Sequence, residues 1–149
     1  MFSAIITGLK LANWLNWIVA IVLTGFFALL LADAGGVRAE ILAGRGEASR
    51  EATRLYLYTV LSIVPPTAIA VHMLLTRLVA LVRDAAAGMA FTTANAVRLR
   101  MMGWALLAIN IADLVYGWVS IRASEASGEY FGWSLSLTGW VAVPLLFVL

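Results

Sequence analysis

The chain has 149 residues, of which 63% are hydrophobic and only 12% charged, with a formal net charge of +2. A water-soluble domain carries about 45–50% apolar residues and about twice this share of charge, so the composition excludes an ordinary soluble fold. The small net charge excludes bulk attraction to nucleic acid, the lack of cysteine excludes disulfides and thiolate chemistry, and one histidine cannot form a His-rich metal site.

Four apolar stretches approach or exceed about 18 residues, the length a helix needs to cross a bilayer. They predict an all-α, polytopic membrane protein with four transmembrane helices in an up-down bundle. The whole chain, 1–149, reads as one domain, with spans at about 13–31, 55–81, 99–121 and 130–149. Lys10 is the only side-chain charge before Asp33. Trp14 and Trp17 stand near the start of the first span, where indoles favour the headgroup level. Asn13, Asn16, Ala20 and Thr24 recur at helical spacing, and this face is expected to meet other helices rather than lipid. Ala32-Asp33-Ala34 has the form of a signal-cleavage site, but the apolar run before it is longer than that of a secretory signal, so a retained span is expected.

The first connector, residues 33–54, alternates four arginines with four acids. Gly35 and Gly36 break the helix, and two short helices separated by Gly44 and Gly46 are expected to form a solvated loop; a binding lid is the functional alternative. Tyr56 and Tyr58 mark the start of the second span. Pro65 and Pro66 lie within it and predict a kink or local unwinding, because proline lacks an amide donor and crowds the preceding turn. Ala68, His72 and Thr76 share a face, and Arg77 and Arg83 reach for headgroups at the far end.

The second connector leads into the third span through Gly88, Phe91, Thr92 and Asn95. Thr92 or Thr93 is the expected N-cap and Phe91 its staple residue, while Arg98 and Arg100 are expected at the headgroups. Within the third span, Gly103, Asn110, Asp113, Gly117 and Ser120 fall near one face. The third connector carries Arg122, Glu125 and Glu129, with Ser124, Ser127 and Gly128 as turn residues, and Pro144 sits late in the fourth span.

Arginine and lysine in short loops set orientation. Lys10, Arg77, Arg83, Arg98 and Arg100 favour both termini and the second connector on the cytoplasmic side, N-in and C-in, whereas the four arginines of the first connector argue the other way.

The segment Gly88-x-x-Phe91-Thr92-x-x-Asn95-x-x-Arg98-Leu99-Arg100, placed ahead of an apolar helix, resembles the signature of the DUF2975 family, small bacterial inner-membrane proteins with four spans. Ala90 and Ala94 stand where the family has a proline and an acid, and the chain ends at Leu149 where the family continues into a charged tail. The resemblance implies a multi-pass protein of the bacterial inner membrane and association with a small helix-turn-helix regulator.

Asp113 is the expected centre of an intramembrane polar site with Asn110, His72, Asn16 and Thr24 around it, since a carboxyl in hydrocarbon is costly and faces a bundle interior or cavity. His72 and Asp113 are expected about two turns apart in depth, which disfavours a direct pair. An acid and a histidine with no serine or cysteine nucleophile beside a base do not make a hydrolase, so no catalytic residue, resident metal or cofactor is expected. The expected function is structural or regulatory, through helix–helix association in the lipid bilayer with a second copy or a partner subunit, without direct nucleic-acid binding. The alternative is a small transporter or channel component using Asp113.

Overall fold

The computed structural model describes residues 2–89, 92–128, 130, 132 and 137–148. Among them the chain is all-helical, with no strand. Three helices dominate: α1 over Phe2–Leu31, α3 over Glu47–Ala86 and α4 over Thr93–Ser127, of 30, 40 and 35 residues. At about 1.5 Å per residue they run roughly 45, 60 and 52 Å. A hydrocarbon core is about 30 Å thick, and each of the three is long and apolar enough to cross it. Residues 11–32 and 55–76 carry no formal charge, each stretch being 22 residues long. The same run in α4 is interrupted only by Asp113. Trp14, Leu15, Ile21 and Val22 on α1 and Trp104, Ile111 and Trp118 on α4 are exposed. Water would penalise such faces, and hydrocarbon does not. These are the marks of a multi-pass membrane protein.

The connectors are built differently from the sequence expectation. Asp33, Gly35 and Gly36 all adopt left-handed backbone (φ 49°, 69° and 72°), which ends α1 and turns the chain through one 3₁₀ turn. The short helix α2 follows over Val37–Leu42, and Gly44 at φ 73° ends the turn after it. The second expected short helix is not separate: α3 starts at Glu47 and continues through the span. Arg38 pairs with Asp33 at 2.8 Å, and Arg45 donates to the buried hydroxyl of Thr53 at 2.6 Å. The Tyr58 hydroxyl, followed by the Asp33 carboxylate, holds the Arg38 guanidinium above its ordinary pKa.

One further expectation is narrowed and another corrected. Helix α3 runs unbroken through Pro65 and Pro66, so of the kink or local unwinding expected there, the unwinding does not occur. The prolines leave the carbonyls of Leu61 and Ser62 without their usual amide partners, and the rest of the helical ladder carries the chain across. Ser124 and Ser127 are not turn residues. Their hydroxyls donate back to the carbonyls of Ser120 and Ala123, four residues earlier, and α4 extends to Ser127. Gly128, at φ 70°, then donates its amide to the Ser124 carbonyl at 3.0 Å, a left-handed C-terminal cap that glycine adopts without a Cβ clash.

The expected fourth span lies partly outside the described residues. Its described helix, α5, covers Leu137–Val148, 12 residues with Pro144 inside. That is about 18 Å, shorter than a crossing.

The chain divides into two compact units. The first comprises Met1–Val19, Pro66–Ile111 and Ser136–Leu149, and the second Ala20–Pro65 and Ala112–Leu135. In the first, α5 lies on α4: Phe147 meets Trp104 edge-on at 5.3 Å between ring centroids, and Val143 is buried. Gly103 makes this approach close, because a Cβ there would stand 3.2 Å from the Phe147 ring. In the second, Leu30 is buried and Phe27 meets Tyr58 edge-on at 6.1 Å. Tyr116 donates to the Gly132 carbonyl at 3.2 Å, so the Tyr56 hydroxyl, 3.2 Å away, donates to the Tyr116 oxygen.

Replacing Gly103 with valine puts a branched side chain against Phe147. Overpacking of this kind costs about 1–3 kcal/mol. The expected result is a destabilised fold with altered Trp104 fluorescence, read by detergent-titration unfolding. An unchanged midpoint would show that α5 does not rest on Gly103.

Candidate functional site

The polar residues of the first unit gather where α1 runs antiparallel to α3. The Asn16 side-chain amide donates to the Ala68 carbonyl at 3.0 Å. That carbonyl also serves the helical ladder, and its second lone pair takes the extra donor. One turn along α3, the Trp17 indole N–H points at His72 Nδ1 at 3.2 Å, with the rings 5.5 Å apart. Asn13 Oδ1 lies 2.9 Å from the same nitrogen. One ring nitrogen cannot accept from Trp17 and donate to Asn13 together. Both contacts are made when Nδ1 is bare, the ring proton sits on Nε2, and the Asn13 carboxamide is turned to present its N–H. Thr76, a further turn on, returns its hydroxyl to the His72 carbonyl at 2.8 Å. The expected shared face of Ala68, His72 and Thr76 therefore meets the Asn13–Asn16 face of α1.

Trp17 is the unforeseen member. Its indole turns onto α3, whereas Trp14 is 71% exposed. The i, i+4 spacing of Asn13 and Trp17, against His72 and Thr76 at the same spacing, is the sequence signal for this pairing. The other expected members, Asn110, Asp113 and Thr24, divide between the two units. Asn110, in the first unit, is 7% exposed, and its side-chain nitrogen has no hydrogen-bond partner among the described residues. Asp113 is half-buried and Thr24 is exposed, both in the second unit. Gly117 and Ser120 on the Asp113 stripe are buried, so this face of α4 points inward as expected.

The motif residues form a second, separate constellation. Gly88 adopts φ 76° and turns the chain after α3. Thr92 is the N-cap of α4: its hydroxyl and its carbonyl both accept from the Asn95 amide. Asn95 is only 2% exposed, and its side-chain nitrogen donates back to the Met89 carbonyl at 3.0 Å. Its Oδ1 accepts from Arg98 at 2.6 Å, and the same guanidinium nitrogen pairs with Asp84. Arg98, expected from sequence at the headgroups, is thus turned into the connector. Arg100 is exposed and Leu99 half-buried. Phe91, the expected staple, lies outside the described residues.

The polar groups so arranged hold backbone to backbone. Asn16, Asn13, Trp17 and His72 tie α1 to α3, and Asp84, Asn95 and Arg98 tie the end of α3 to the start of α4. Among the described residues, no three His, Cys, Asp or Glu side chains group as metal ligands.

Asn95→Ala removes the central member of the connector clamp and leaves the Met89 carbonyl and Arg98 short of partners. The expected loss is about 1–3 kcal/mol in detergent-titration unfolding. Trp17→Phe removes one interhelical donor and is expected to cost less, about 0.6 kcal/mol. The reverse ranking would show that the α1–α3 contact dominates stability. No family model matches the chain, and neither a curated protein nor a solved structure does so.

Proposed function

We propose that this chain is a four-span protein of the bacterial inner membrane, structural or regulatory in type, that acts through helix–helix association with a second copy or a partner subunit. The observation carrying the proposal is the outer face of α1. Thr24, Ala28 and Ala32, spaced four apart, are exposed, and Gly25 beside them has nothing within 4 Å of a Cβ placed on it. Small residues in this spacing let another helix approach backbone to backbone, where dispersion contacts accumulate and lipid cannot pack as closely. Thr24 was expected to face a helix, and among the described residues it is exposed.

The orientation, N-in and C-in, is supported by charge. Lys10, Arg77, Arg83, Arg98 and Arg100 all belong to the first unit, with the N-terminal part of α1 and the end of α3. The likeness to the DUF2975 family, and with it a regulator as partner, rests on the Gly88–Arg100 motif. Gly88, Thr92, Asn95 and Arg98 of that motif work together in one connector, which supports reading them as a set.

Gly25→Leu tests association, because a Cβ placed at Gly25 meets nothing within 4 Å among the described residues. Energy transfer between labelled copies in lipid vesicles, and recovery of partners from native membranes, are the two readouts. The variant is expected to keep its helicity and to associate roughly tenfold more weakly, the scale of a transmembrane contact worth ~1–2 kcal/mol. Wild-type strength in both readouts would sink the proposal. The transport alternative makes a different demand on Asp113. Under association, Asp113→Asn leaves assembly intact and no ion flux is lost; an Asp113-dependent flux across vesicles would replace association with transport.

A further inference from the structure

A cleft of about 250 Å³ opens between α1 and α3 in the first unit, below the His72 cluster. Its lining has two chemical halves. Lys10 and Arg83 bring two formal positive charges, and Asn13 and Thr76 add polar atoms beside them. Leu9, Leu75 and Val79 complete the wall with hydrocarbon. Lys10 and Arg83 are both exposed and form no ion pair among the described residues, unlike Arg98, which is held by Asp84 on the same connector. The nearest acid to Arg83 in sequence is therefore already engaged. The cleft is thus an unneutralised cationic pair set against an apolar wall, on a helix pair long enough to lie in a bilayer.

We propose that this cleft binds the phosphate diester of an acidic membrane phospholipid. Lys10 and Arg83 take the phosphate charge, and the Asn13 and Thr76 polar groups lie beside the glycerol region. The acyl chains leave along Leu9, Leu75 and Val79. A zwitterionic lipid carries its own cation next to the phosphate and gains less from the pair, so the site discriminates by net headgroup charge. A free phosphate ion would satisfy the two cations but would leave the apolar wall unused.

The test uses the full chain reconstituted in nanodiscs of phosphatidylcholine with or without phosphatidylglycerol, then extracted gently and examined by native mass spectrometry. The wild-type chain is expected to retain phosphatidylglycerol in preference to phosphatidylcholine. A basic side chain near an anionic surface contributes an attraction equivalent to about a fivefold change in affinity, so Lys10→Gln and Arg83→Gln should each weaken retention about fivefold and the double variant about thirtyfold. Lys10→Arg should preserve it. Arg100→Gln, at another exposed arginine of the same unit, should leave it unchanged. Equal retention of the two lipids, or equal losses from Arg100→Gln and Arg83→Gln, would overturn the proposal. So would displacement of the lipid by millimolar-range inorganic phosphate, which would make a soluble anion the ligand.

Discussion

Inside hydrocarbon a polar side chain finds no water, so its hydrogen bonds must come from protein or go unmade, and an unmade bond costs about 1–3 kcal/mol. That constraint organises the α1–α3 contact. Asn16 borrows a spare lone pair from the Ala68 carbonyl, Trp17 finds the bare nitrogen of His72, and Asn13 shares it. Each bond also fixes the axial register of the two helices. Apolar packing alone sets register poorly between smooth aliphatic faces, because sliding one turn exchanges one leucine for another. A tryptophan that must meet a histidine has one position.

The same logic separates the two polar constellations by strength. The α1–α3 bonds lie in a medium where the unfolded helices also find partners, which keeps each bond's net contribution small. The connector clamp is different in kind. Asn95 is buried and serves three partners through its backbone amide, side-chain nitrogen and side-chain oxygen. Asp84 and Arg98 then add a charge-assisted bond across the turn. Removing one member strands the others, so the clamp behaves as a unit. It holds α3 and α4 at a short connector.

Much of this was legible in the sequence. The long apolar runs, the glycine breaks, the Thr92 cap and the inward stripe of α4 follow from composition and helical period, which are local. The α1–α3 register was half legible: Asn13, Asn16, His72 and Thr76 were placed on facing stripes, but Trp17 was assigned to the headgroup level because amphipathic indoles favour it on average. The partner of Arg98 was missed for a similar reason. A rule for snorkelling describes an arginine facing lipid, and only the fold reveals that Asp84 is nearer. Pro65 and Pro66 show the limit of local rules from the other side. Two missing amides predict a kink or unwinding, and of these the unwinding is absent because the surrounding helical turns keep α3 continuous. Asn110 was expected to bond, and its buried side-chain nitrogen has no partner among the described residues, which no periodicity argument could have foreseen.

The Asp84–Arg98 pair has a consequence for where charge sits on the connector. The two residues stand 14 positions apart on different helices and cancel one another. The net positive charge of the region from Arg83 to Arg100 is therefore carried by its two ends, Arg83 and Arg100, which are exposed, and not by its middle.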